Sequence, residues 1–444
     1  MIKGETMKVK KPALLISIFL ALYTTLPHYF QIAGIEGSNI LVVLFGIYWL
    51  VKKWKSMKRK RANKDDRWLY FLFSMFIIIR LIVYVSHGEF SRAVVFFFSF
   101  VVLGKIIISY IDSEKKFYQI IDTLIYISLV VTIIGIIEAI TRFNLFSLLN
   151  NTGIPLNYNK PRFGVTRILG FTQQTINYCL YCSIVACLVS YRLGNKLSLK
   201  QKRIFRITFV LLCINIALTL SRSIIICFVF SQLLMLYKGG FKKLLKYMFL
   251  LMIVFLLGST LLSIIANTQN LAVQFLYMLL AVFDDSYALK LANNWGSEDK
   301  SGVGHRITLY YWVWESVKNK LLFGFGERSG FEYRFNATNG IYQWSQLKTS
   351  IEVNHLWLLY HYGIIDTCIE IILNISLCIS SLVKSVKTRF AESKVDFNFT
   401  FFSIMIMVIL SWFGVNSESE WPTLSVIWFA WLAYNNLHLN KHRG

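Results

Sequence analysis

Three arginines and one carboxylate–imidazole pair stand out in this 444-residue sequence for the chemistry their types permit. Arg167 lies in Arg167-Ile-Leu-Gly170, Arg222 in Leu218-Thr-Leu-Ser221-Arg222-Ser223, and Arg306 directly follows Gly304 and His305. A guanidinium fork donates two hydrogen bonds to phosphate oxygens and stabilises negative charge that grows on a leaving group. Glu352 and His355 are three residues apart, so they share one helical face, and either type can take a proton from a hydroxyl. The residues themselves do not choose between the two as base. His305 and Arg80 are secondary candidates, and Arg80 sits inside an apolar run, where a cation must face protein, water or headgroups. Plainer readings stand beside these: Arg222 as an interface anchor, Arg167 as a solvated loop cation, Arg306 as a helix-end cation, and Glu352 in a helix first turn.

The elements that position these residues follow from composition. With 56% hydrophobic and 16% aromatic residues and only 5 prolines, the chain is too apolar for a soluble protein and is expected to be an all-α polytopic membrane protein. The net charge of +24 does not mark a nucleic-acid partner, because the basic residues fall in short runs between apolar stretches. All seven cysteines lie in apolar segments; Cys179 and Cys182 form a lone CxxC with no second pair, so neither a metal site nor a disulfide framework is implied.

A span needs about 20 apolar residues, and about twelve runs qualify. They are 12–30, 37–52, 68–86, 93–111, 118–141, 174–192, 206–220, 223–238, 247–266, 355–383, 398–416 and 422–437. The N-terminal run continues to about Tyr29 without a cleavage site and reads as a retained helix. Most of the 47 Lys and Arg residues fall in every second loop, which places both termini in the cytoplasm. The expected layout is helices one to nine in 1–266, one large extracytoplasmic loop in 267–354, and helices ten to twelve in 355–444.

That loop is not uniformly polar. Leu271 to Phe283 is apolar for about three turns, too short to span, and suits a helix lying on the membrane surface. Residues 306–320 place Leu309, Trp312, Val313, Ser316 and Val317 near one face, with Gly324 and Gly326 beyond the end. Two such helices would roof the outer ends of the spans and leave a groove open to lipid.

The order of features resembles the O-antigen ligase/polymerase superfamily, with its Wzy-type polysaccharide polymerases and WaaL-type ligases. The matching stretches run over roughly 160–380: Arg167-Ile-Leu-Gly170-Phe, Leu218-Thr-Leu-Ser221-Arg222-Ser223, His305-Arg306 opening an amphipathic helix, Leu321-Leu-Phe-Gly324-Phe-Gly326, and Asn354-His355 through Gly363-Ile-Ile. Two departures point to a polymerase rather than a ligase: Glu352 stands where ligases carry a histidine, and Tyr310 where their outer arginine is followed by leucine.

The resemblance implies a glycosyltransferase of the bacterial inner or plasma membrane that uses an undecaprenyl-diphosphate-linked oligosaccharide. It implies no cofactor and no metal in the chemistry. Arg167, Arg222 and Arg306 would hold the pyrophosphate, with His355 or Glu352 as base. The product would be an O-antigen, capsule or exopolysaccharide. Membrane lipids, a chain-length regulator and a flippase of the same pathway would be its partners, and nucleic acid would not. Two competing readings are a ligase moving finished glycan to another acceptor, and a lipid-linked oligosaccharide flippase or transporter of about twelve helices.

Overall fold

The computed structural model describes residues 11–53, 67–152, 167–172, 174–238, 303–338, 343–388, 396–414 and 421–441. The apolar runs fold as helices: α1 Lys11–Thr25, α2 Gly37–Lys53, α3 Arg67–Ser86, α4 Phe90–Tyr110, α5 Glu114–Thr141, α6 Thr175–Leu193, α7 Leu199–Leu218 and α8 Arg222–Lys238. After these come α9 Val303–Val317, α10 Asn354–Thr388, α11 Phe397–Ser411 and α12 Trp421–Lys441. Among the described residues, five helices, α3 to α6 and α10, are long and apolar enough to cross a membrane. The protein is therefore a helical membrane protein.

Two expected spans come out short: those at 12–30 and 398–416 end at Thr25 and Ser411. The expected 37–52 and 223–238 are apolar helices with those bounds, Gly37–Lys52 and Ser223–Lys238. Helix α7 begins seven residues before the expected 206, because Ser198 and Gln201 form a capping box: each side chain accepts the other's backbone N–H, at 3.3 and 3.2 Å. Its first half thus carries Lys200, Lys202, Arg203 and Arg206 among its apolar residues. The expected span 247–266 and surface helix Leu271–Phe283 lie outside the described residues.

Helix α6 is the centre of the bundle, buried along nearly its whole length and packed on α5, α7, α8 and α11. One polar link ties three helices there. The Tyr178 hydroxyl donates to Asn215 Oδ1 at 3.0 Å, and Asn215 Nδ2 donates to the Thr132 carbonyl at 3.1 Å. Every polar group in that link has a partner, so it adds specificity without an unmet hydrogen bond.

The bundle has two distinguishable ends. At one, Lys238 pairs with Asp396 at 2.9 Å, joining the end of α8 to the start of α11. Because α8 and α11 pack together, they run antiparallel, and the start of α8 at Arg222 lies at the same end as Trp412. The Asn354 backbone N–H donates to the Trp412 carbonyl at 3.0 Å, so α10 also begins at the Arg222 end.

A second, smaller core sits where α9 packs on the first turns of α10. Leu309, Val313 and Val317 of α9 are fully buried with Phe331, Tyr333, Val353 and Tyr360. The apolar face read from 306–320 is thus the buried face, although the helix begins at Val303 and ends at Val317. An antiparallel hairpin follows, β1 Tyr333–Thr338 with β2 Gln343–Lys348, in register from Tyr333–Lys348 to Thr338–Gln343. Strands were not expected in this segment.

Candidate active site

The Arg167–Gly170 segment is held by a buried carboxylate. Glu138 near the end of α5 accepts the backbone N–H groups of Leu169 and Gly170, both at 2.9 Å, and Asn144 donates to the Gly170 carbonyl at 2.7 Å. This presses Arg167 against the turn between α7 and α8. Its Nε donates to the Thr219 carbonyl at 2.8 Å and its Nη2 to Ser221 Oγ at 3.3 Å. The turn is strained: Leu220 has φ 51°, in the left-handed region that costs a branched residue free energy. Arg167 and the Leu-Ser-Arg motif, 52 residues or more apart, therefore form one unit. Arg222 opens α8 immediately after this turn; its side chain lies outside the described residues.

His355 sits in the first turn of α10. Its Nε2 lies 2.5 Å from the Tyr310 hydroxyl of α9, and its ring packs between those of Tyr310 and Phe413, at 5.4 and 5.5 Å. Arg306 is one helical turn before Tyr310, and His305 is its neighbour; the side chains of both lie outside the described residues. Glu352 is half-buried in the segment leading into α10. The Tyr333 phenol is pushed up to about 12, by burial first and then by the negative charge of Glu352. Glu352 is therefore turned toward the small second core, whereas His355 is turned toward α9 and Phe413.

The two remaining sequence motifs dock on one another. Helix α10 is broken at Gly363 (φ 77°, ψ 178°), and Leu321–Gly326 lies along the break. Three backbone hydrogen bonds join them: Phe325 N–H to Tyr360 O and Gly326 N–H to His361 O at 2.9 Å, and Ile364 N–H to Leu321 O at 2.8 Å. Glycine is required at this contact. A Cβ on Gly363 would stand 2.3 Å from the Leu322 carbonyl oxygen, and one on Gly324 would stand 2.6 Å from that of Tyr360. His361, not singled out from the sequence, donates from Nδ1 to the Gly326 carbonyl at 2.8 Å.

Arg80 is placed differently from the other arginines. It is almost fully buried in α3, with Nε and Nη2 on Asp366 at 3.0 and 2.6 Å, Nη2 on Glu370 at 2.7 Å, and the guanidinium 3.5 Å over the Tyr362 ring. Its first task is to fasten α10 to α3.

Beside it lies a group that sequence reasoning missed. The Glu327 carboxylate accepts from the Tyr84 and Tyr362 hydroxyls at 3.0 and 3.1 Å and pairs with Arg92. The next residue, Arg328, donates its backbone N–H to Glu89 at 2.8 Å and its guanidinium to Ser91 at 3.3 Å. The only signal available was the Glu-Arg dipeptide directly after Gly-Phe-Gly; its partners come from the α3–α4 turn and could not be read from spacing. Glu327, Arg92 and Arg80 line a cavity of about 510 Å³ that reaches across to the α1–α2 hairpin, where Gln31–Ile32 pairs with Ile35–Glu36, and to the start of α6.

Fold and composition together define a multi-pass helical membrane protein. Residues 207–365 match the family model described as O-antigen ligase, and the match supports the O-antigen ligase/polymerase superfamily for this chain. Members of that family are glycosyltransferase-like enzymes acting on lipid-linked glycans. The matched stretch contains the Ser221-Arg222 turn, Arg306, the Gly324–Gly326 loop, Glu352, His355 and Gly363. No curated protein matches the chain.

Proposed function

We propose that this protein is a Wzy-type polysaccharide polymerase. It would transfer a growing glycan from undecaprenyl diphosphate to the non-reducing end of another lipid-linked repeat unit. The observation that carries this reading is the gathering at one end of the bundle of Arg167 on the Thr219–Arg222 turn and of His355 with Tyr310. On this reading the large loop and that end face outward from the bacterial plasma membrane, and both termini are cytoplasmic.

In the proposed reaction the acceptor sugar hydroxyl attacks the anomeric carbon as the bond from that carbon to the diphosphate oxygen breaks. His355, or Glu352, takes the hydroxyl proton, and the diphosphate leaves with the bonding electron pair. Arg167, Arg222 and Arg306 hold the diphosphate and offset its growing charge. A single displacement inverts the anomeric configuration. A retained configuration in the polymer, or a glycosyl group covalently bound to the enzyme, would rule this course out.

A second reading has one observation in its favour, the matched model's own description as a ligase. Deleting the gene separates the two. A polymerase mutant keeps one repeat unit on its final acceptor, whereas a ligase mutant leaves the acceptor bare and accumulates lipid-linked polymer. Lipid-linked repeats stranded on the cytoplasmic face would instead mark a flippase.

A further inference from the structure

We infer that the cavity between the α1–α2 hairpin, the α3–α4 turn and the start of α6 is a saccharide subsite that receives the sugars of the acceptor repeat unit. This rests on the glycan-transfer reading above and adds to it where the acceptor binds. The cavity, about 510 Å³, falls in the range of about 300–1,000 Å³ typical of small-ligand sites.

Its chemistry suits a polyol better than a diphosphate. Most of the basic groups on its wall already face a carboxylate: Arg92 pairs with Glu327, Arg80 with Asp366 and Glu370, and His28 with Glu36 at 3.1 Å, while the Arg328 guanidinium donates to Ser91 at 3.3 Å. A diphosphate would meet Glu36 and Glu327 as like charges, whereas sugar hydroxyls can donate to those carboxylates and accept from the arginines. Burial pushes the Glu36 carboxyl up, but the His28 hydrogen bond and charge, and the charge of Arg92, outweigh this and hold it below its ordinary range, so it is an acceptor. Phe96 and Phe100, packed on each other at 4.6 Å, add apolar surface to the lining.

A separate observation points to a ligand. Asn177 lines the cavity and is only 6% exposed, yet its Oδ1 has no hydrogen-bond partner among the described residues. An amide oxygen buried without a partner costs free energy, and a ligand hydroxyl would supply the missing donor.

The test uses the full-length protein in lipid nanodiscs and two probes: the repeat-unit oligosaccharide released by mild acid from the strain's own lipid-linked pool, and undecaprenyl diphosphate without sugar. Asn177→Leu should weaken oligosaccharide binding about tenfold, the loss of one buried hydrogen bond, Glu36→Gln at a partly exposed carboxylate should weaken it less, and both should leave undecaprenyl diphosphate binding unchanged. Unchanged diphosphate binding also shows that the variants fold. Oligosaccharide binding at wild-type strength in both variants overturns the subsite, as does loss of diphosphate binding alone. Failure of the parent reading looks different: Arg222→Ala would then leave polymer intact in cells whatever the cavity variants do.

Discussion

Tyr310 and His355 are joined by a 2.5 Å contact between the phenol oxygen and Nε2, which links the loop helix α9 to the first turn of α10. With the imidazole proton on Nε2, the ring donates to the phenol oxygen and Nδ1 is free to take a proton; with the proton on Nδ1, the phenol donates to Nε2 and occupies the basic lone pair. In both states it holds the ring in place. His355→Gln should lower transfer in vitro by about 10²–10⁴-fold if His355 is the base. Tyr310→Phe should give a smaller loss together with a displaced pH–rate profile. A Glu352→Gln enzyme that loses activity while His355→Gln keeps it would assign the base to Glu352.

Arg167 tests the phosphate-holding unit. Arg167→Lys keeps the charge but cannot reach both the Thr219 carbonyl and Ser221 Oγ with one planar fork. Cells carrying Arg167→Lys or Arg222→Ala should export single repeat units and make little or no polymer, read as a collapsed ladder on a glycan gel. Normal chain lengths in both would remove these arginines from the mechanism.

The break in α10 makes a steric prediction. Gly363→Ala forces a Cβ into the Leu322 carbonyl and a φ of 77° that L-residues rarely adopt. The expected cost is on the order of 1–3 kcal/mol, seen as a lower thermal midpoint in detergent. Gly330→Ala is the control, because a Cβ there meets nothing within 4 Å.

Arg80 faces two carboxylates in a nearly dry environment. Arg80→Met leaves both without their cation, and breaking such a buried group costs about 3–5 kcal/mol. Folded protein in the membrane fraction should fall sharply, and Arg80→Lys should recover part of it.

Glu36 predicts a pH effect with a definite sign. Its folded pKa lies below the ordinary 4.5, so the stabilisation from His28 and Arg92 is complete above that value and is lost as pH falls through the lower folded one. Thermal midpoints of wild type measured from about pH 6 to pH 3 should show this acid-side loss, and Glu36→Gln should show less of it.

The helices were legible because long apolar runs permit little else, and the buried face of α9 was legible because Leu309, Val313 and Val317 repeat at helical spacing. The turn at Leu220 was legible from two short apolar runs meeting at Ser221. The β1–β2 hairpin was missed although its signal is present: Tyr333, Phe335 and Ala337 alternate with Arg334, Asn336 and Thr338, and Asn339-Gly340 follows. Aromatic residues in a segment already read as surface loop drew attention away from that period of two. The Glu327–Arg92 and Arg328–Glu89 contacts had no local signal at all. Their partners are more than two hundred residues apart, and only the packing of α3 on α10 brings them together.

The clip at Gly363 also marks where this chain can be cut and rejoined. Its three hydrogen bonds use main-chain atoms only, so they survive exchange of the surrounding side chains as long as Gly324, Gly326 and Gly363 remain. A chimera between two relatives should therefore be joined after Gly363, inside α10. The first three turns of that helix then travel with the loop they are bonded to, and a junction at Asn354 would separate parts that fold as one piece.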